Sequence, residues 1–172
     1  MKRYHKKRTV RHGHSAERLN SRVVRQEEGG GFKCSHCKKW VVINEYMGTA
    51  NRNHCNICLW SKHVDVKKGD RRATCQAGMK PVGLTFRIEG NGQYGEVMLI
   101  HDCMGCEKVS INRLAADDYD HLVLEVFEDS LQMSAEKRTE LAEIGLYVAG
   151  AEDKPEILRS LFGTDQAYIS AD

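Results

Sequence analysis

Hydrophobic and polar positions alternate most clearly in the middle of the chain. Pro81 to Glu89 and Tyr94 to Asp102 are two β-like runs, and Gly90-Asn91-Gly92-Gln93 joins them, which predicts a hairpin. Trp40-Val41-Val42-Ile43 reads as a short strand, Gly48 to Asn53 as a returning loop, and Lys108 to Ile111 as a closing strand. Further on the period lengthens. Tyr119 to Phe127 is apolar enough to be a helix packed on the strands. Ser134 is placed to cap a helix that stops near Gly145, and Asp153-Lys154-Pro155 opens another that Gly163 terminates. Residues 1–31 have no apolar period and end in Gly29-Gly30-Gly31, which predicts a disordered arm and a hinge. The chain therefore divides into an arm at 1–31, a domain at 32–130 and a helical extension at 131–172.

Composition changes this picture in one respect. Only 7% of the 172 residues are aromatic and 29% are charged, so a large apolar core is not expected and another source of stability is needed. Of the seven cysteines, six lie in three Cys-x-x-Cys pairs. No apolar N-terminal segment reads as a signal peptide, so a reducing cytoplasm and metal binding fit better than disulfides. No apolar run approaches the roughly 20 residues that cross a bilayer.

The first two pairs are Cys34-Ser35-His36-Cys37 and Cys55-Asn56-Ile57-Cys58, with seventeen residues between them. Each pair can bend round one ion, and four soft thiolates at this spacing make a closed tetrahedral zinc site. Leu59 is expected to cover it, and Trp60 either to do the same or, by preference, to be simply core. The third pair, Cys103-Met104-Gly105-Cys106, has three ligands when Cys75 is added. Cys75-Gln76-Ala77-Gly78 looks like half a knuckle, with Gly78 where a second cysteine would stand and free to make the tight turn. The fourth ligand is His63, His101 or His54, and His63 is favoured because the loop before Cys75 can fold back. Eight ligands in two sets imply two Zn²⁺ ions per chain. The fold class is thus a small α+β zinc-stabilised domain, with ribbon-like knuckles, β-hairpins and a short helical C-terminal extension.

The run Arg52-Asn53-His54-Cys55, with Cys58-Leu59, Ser61, His63-Val64-Asp65, Gly69-Asp70-Arg71 and Cys75, resembles the RNHCP domain family. So do Cys103-x-x-Cys106, Asn112-Arg113 and Asp117-Asp118. The resemblance covers about residues 32–120 and implies zinc binding. Asn56 departs from it, because the family name ends in proline at that place. The substitution leaves the ligands intact, loses a fixed backbone angle and gains an amide donor. Arg52, Asn53, His54, Asn112 and Arg113 read as supports for the metal loops, with His54 paired to Asp65 or Asp102. The alternative is an RNA-contacting patch of Arg52, Lys62, Lys67, Lys68, Arg71, Arg72 and Arg113.

Charge points to a partner. Residues 1–25 carry nine basic side chains against one acidic, including Lys2, Arg3, Lys6, Lys7, Arg8 and Arg11. Residues 120–172 carry twelve acidic against four basic. A basic arm on a small zinc core, with further cations at Lys67, Lys68 and Arg72, suits binding to nucleic acid, structured RNA or the ribosome above all. A second reading is a protein-interaction module that docks a partner through residues 134–172, anchored by Leu158, Leu161 and Phe162. The weakest is a metal-dependent nuclease built on His63-Val64-Asp65 and Asn112. No Ser-His-Asp order, phosphate-cradling glycine loop or nucleotide fingerprint is legible, so the chain does not read as an enzyme.

Overall fold

The computed structural model describes residues 30–163, apart from residues 44, 50 and 91–93. Lys2, Arg3, Lys6, Lys7, Arg8 and Arg11 lie outside the described residues, as does the rest of the arm through residue 29.

Among the described residues, six strands and three α-helices follow in chain order, with two one-turn 3₁₀ helices. Strands β1 (Gly31–Lys33) and β2 (Trp40–Val42) pair antiparallel on their own. Then come β3 (Ser61–Lys62), β4 (Gly78–Ile88), β5 (Tyr94–Cys103) and β6 (Val109–Arg113), a four-stranded antiparallel sheet in that spatial order. Three α-helices follow: α1 (Asp120–Ser130), α2 (Ala135–Glu143) and α3 (Lys154–Phe162). The predicted hairpin is β4–β5, longer than its alternation suggested because β4 begins three residues earlier, at Gly78. Two register shifts bend it, between Pro81 and Gly83 and between Phe86 and Ile88.

The run Val97 to His101 is buried at every residue, because the middle of the sheet is covered on both faces. Leu84, Phe86, Val97 and Leu99 meet Leu59, Val123 and Phe127 of α1, and Ile157 of α3. Ile100, next to Leu99 and so on the opposite face, meets Leu141 of α2 and Val148. Helices α2 and α3 therefore pack on the same sheet as α1. Ser134 caps α2 by accepting from the Lys137 N–H at 3.2 Å. Gly163, at φ 70°, ends α3 in the left-handed conformation that favours glycine.

Three local expectations change. Gly31 is the first residue of β1 rather than a hinge. A Cβ there would lie 2.5 Å from the Val41 carbonyl oxygen, so glycine permits a close strand approach. Short strands β1 and β3, and one-turn 3₁₀ helices at Glu45–Met47 and Ala151–Asp153, carry too few residues to show a period. Leu59 belongs to the main core rather than to a cover over the metal site. Among the described residues, no helix is long and apolar enough to cross a membrane.

Candidate metal centres

Each Cys-x-x-Cys loop aims its sulfurs with its own backbone. Lys38 and Leu59, directly after Cys37 and Cys58, have φ of 63° and 58°, a left-handed conformation uncommon for such residues. That turn brings the next N–H back onto the sulfur: Lys39 donates to Cys37 and Trp60 to Cys58. Gln76, after Cys75, has φ 54° and repeats the left-handed turn. The half-knuckle thus turns at Gln76, not at Gly78. Gly78 starts β4, and its missing side chain makes room for the Trp60 ring, 3.2 Å from where a Cβ would stand. Trp60 also stacks on His36 of the first knuckle, ring centres 4.0 Å apart.

Two ligand groups result. Cys34, Cys37, Cys55 and Cys58 form one; His63, Cys75, Cys103 and Cys106 form the other, with all ligand atoms of a group within 4.8 Å of one another. In the first, Cys34 and Cys58 sulfurs are 3.6 Å apart and those of Cys37 and Cys55 3.7 Å. In the second, Cys75 and Cys103 sulfurs are 3.7 Å apart, and His63 Nδ1 lies 3.4 Å from both Cys103 and Cys106. A tetrahedron with Zn–S near 2.3 Å and Zn–N near 2.05 Å has edges of about 3.8 Å between sulfurs and about 3.6 Å from sulfur to nitrogen. The gaps fit a zinc ion in each group. The two other histidines are engaged elsewhere: His101 Nε2 donates to the Leu59 carbonyl at 2.7 Å, and His54 Nε2 donates to Asp118 at 2.7 Å.

The thiols titrate against one another. Burial pushes Cys37 up, but the Lys39 N–H and the thiols of Cys55, Cys58 and Cys34 outweigh it and bring it down to about 7. Burial pushes Cys55 and Cys58 up, and neighbouring thiols push them further. In the second group, the Gly105 N–H and the facing Cys106, His63 and Cys75 outweigh burial and bring Cys103 down to about 7, while Cys106 rises. Thiolates packed this closely cannot all ionise alone; a dication removes the conflict.

Between the first group and the sheet lies a buried polar clamp. Arg52, its side chain fully buried, pairs with Asp117 and with Asp118 at 3.4 Å. Asp118 also accepts from the Ala115 N–H at 2.7 Å. Asn53 donates to Asn112 Oδ1 at 3.3 Å, and Asn112 Nδ2 donates to His101 Nδ1 at 2.9 Å. His101 is thereby a neutral ring protonated at Nε2. Burial, more than the neighbouring charges, holds its pKa down to about 4.

The sequence model of the RNHCP domain matches residues 29–124, more than half of the 172-residue chain. The chain belongs to the RNHCP domain family. It matches no curated relative and no solved structure. In this RNHCP chain the motif Arg52-Asn53-His54-Cys55 is one clamp and one ligand. Three successive side chains reach three partners near residues 112–118, and the fourth joins the first metal group. Asn56, where the family name has proline, adds a bond to Asp117 at 3.2 Å.

Three expectations for these residues change. His54 pairs with Asp118, not with Asp65 or Asp102; Asp102 pairs with Lys137 of α2. Arg113 supports no metal loop: it makes an exposed ion pair with Glu96 at 2.7 Å. Burial removes Arg52 from any RNA-contacting patch. Lys67, Lys68 and Arg72 are exposed on the loop before Cys75. The partners of Arg52 and His54 were present in the sequence as Asp117-Asp118, but a contact across more than sixty residues leaves no local pattern.

Proposed function

We propose that this RNHCP protein is a zinc-stabilised nucleic-acid-binding protein whose partner is structured RNA, ribosomal RNA included, in a reducing cytoplasm. The observation that carries the reading is the charge of residues 1–25, nine basic side chains against one acidic, joined to a core with two thiol-rich metal groups. Such a segment gains affinity by releasing counterions from phosphates, whatever the sequence bound. The rigid core then supplies selectivity by shape. Zinc, when bound, holds the knuckles closed and supplies no open position for a substrate, since each group already offers four protein ligands.

The nuclease reading draws no support from the geometry. His63 faces the second thiol group, Asn112 bonds His101, and Asp65 holds backbone N–H groups of its own loop. Two of the three anchors of the protein-partner reading are engaged within the chain: Leu158 is buried and Leu161 packs on the main core.

The test is a salt titration of RNA binding by the full chain and by a protein lacking residues 1–25. Deletion should weaken binding and flatten the fall of log affinity with log salt, by about 0.7 per lost phosphate contact for single strands and about 0.9 for a duplex. Unchanged affinity and slope would remove the N-terminal segment from the account. A full chain without RNA binding at physiological salt would overturn the reading.

A further inference from the structure

One groove on the described surface is strongly one-signed. It has a volume of about 1110 Å³ and runs between β1 of the first knuckle, the loop from His63 to Arg71, and β6. Lys33, Lys62, Lys68, Arg71, Arg87 and Lys108 line it, all exposed, and Asp65 is its only acidic lining residue. Two more arginines in the wall are already engaged: Arg52 in the clamp and Arg113 with Glu96. Among the described residues, no carboxylate forms an ion pair with Lys33, Lys62, Lys68, Arg87 or Lys108. Lys67 and Arg72 do not line the groove.

The loop that brings Lys68 and Arg71 to the groove is tied by two carboxylates. Asp70 accepts from the N–H groups of Val66 and Lys67 at 3.0 Å and of Arg72 at 3.1 Å. Asp65 accepts from Gly69 at 3.0 Å and Arg71 at 2.8 Å. These bonds, the Lys67 N–H first among them, hold the Asp70 carboxyl below the usual carboxylate range. The loop spends its negative charge mostly on its own backbone, with one long pair from Asp65 to Arg71 Nε at 3.8 Å, and leaves Lys68 exposed without an ion pair. A surface ordered before binding loses less entropy on binding.

We propose that this groove is the face of the zinc core that binds double-helical RNA through its phosphates, and that Asp70 is the positioning residue that shapes it. The proposal rests on the nucleic-acid reading above and locates it on the core. Cations favour a polyanion. The aromatic residues in the wall favour a helix over a single strand. Phe32 and Trp60 are half-buried, and Trp60 lies against His36, so neither offers an open face for an unstacked base.

Asp70→Ala separates positioning from plain charge attraction. The variant is more positive by one charge, so a purely electrostatic groove would bind RNA as well or better. A positioned loop would bind worse, by about fivefold, the cost of re-ordering roughly one backbone residue. The probe is a fluorescently labelled RNA stem-loop, titrated against the zinc-loaded full chain at physiological ionic strength. Zinc content and circular dichroism check that each variant is folded. A second variant, Lys62→Ser with Lys68→Ser and Lys108→Ser, leaves every described ion pair in place. It should reduce the slope of log affinity against log salt by about 0.9 per phosphate contact, and so by about 2.7 in all. Weaker binding in both variants, with the stem-loop preferred over a single strand of the same length, supports the proposal. Unchanged or tighter binding by Asp70→Ala, or an unchanged slope in the triple variant, overturns it while leaving RNA binding to the N-terminal segment. A full chain that binds neither probe overturns this proposal and the reading beneath it together.

Discussion

Asp118→Ala removes the centre of the clamp. The carboxylate, its side chain 2% exposed, faces Arg52, whose side chain is fully buried, and receives the His54 N–H and the Ala115 N–H. Truncation leaves a buried guanidinium short of one counter-charge and two buried donors without acceptors. Breaking a buried pair from one side costs about 3–5 kcal/mol. Arg52 keeps Asp117, so the lower end of that range applies, with the stranded Ala115 N–H opposing any further discount. Asp117→Ala is the matched control. Its side chain is 39% exposed, so water reaches the place it vacates and its loss should cost less than that of Asp118. The assay is urea unfolding of both variants at one fixed free-zinc concentration, because bound metal adds to apparent stability. In a thermal melt the Asp118 variant should lose roughly 6–12 °C, from about 3 kcal/mol at about 2–4 °C per kcal/mol for a chain of this size. A loss under about 1 kcal/mol, or one no larger than that of Asp117→Ala, would refute the view that these side chains act as a buried clamp.

Three further outcomes are expected. Cys34→Ser should cost the first zinc and leave the second, and Cys103→Ser the reverse, as counted by metal analysis of each purified protein; loss of both ions from either variant would contradict two separate groups. Gly105→Ala should lower zinc affinity at the second group alone, because a Cβ there would stand 2.7 Å from the Ala77 Cβ and 3.1 Å from the Cys75 sulfur; competition with a colorimetric chelator reads the change, and unaltered affinity counts against the packing described. Phe127→Ala should destabilise the zinc-loaded fold by about 3–5 kcal/mol in urea, since the ring is fully buried between α1 and the sheet, and a loss below about 1 kcal/mol would place it outside the core.

The ligands were the most legible part of the sequence, because a Cys-x-x-Cys loop is a local device: spacing alone determines that both sulfurs can reach one ion. The β4–β5 hairpin was legible for a similar reason, since alternation reports which face is buried. What lay hidden was set by distance along the chain. His63 could be ranked above His101 and His54 by loop length, but the reason those two are engaged elsewhere lies in Leu59, Asn112 and Asp118. Gly78 was misread because a glycine near a cysteine suggests a turn, whereas its role is to admit the Trp60 ring. The same holds for Arg52: in sequence it is one cation among many, and only its burial against Asp117 and Asp118 separates it from the exposed lysines.

Two zinc ions are expected to hold this fold together. Zinc binding to such sites contributes about 10–16 kcal/mol in peptides, as much as the whole stability of a typical domain, about 5–15 kcal/mol. Elemental analysis of protein purified without added metal, followed by circular dichroism after complete chelation, tests this directly. Two zinc ions per chain are expected, with loss of the folded signal when both are removed. One ion per chain, or a fold that survives full chelation, would contradict it.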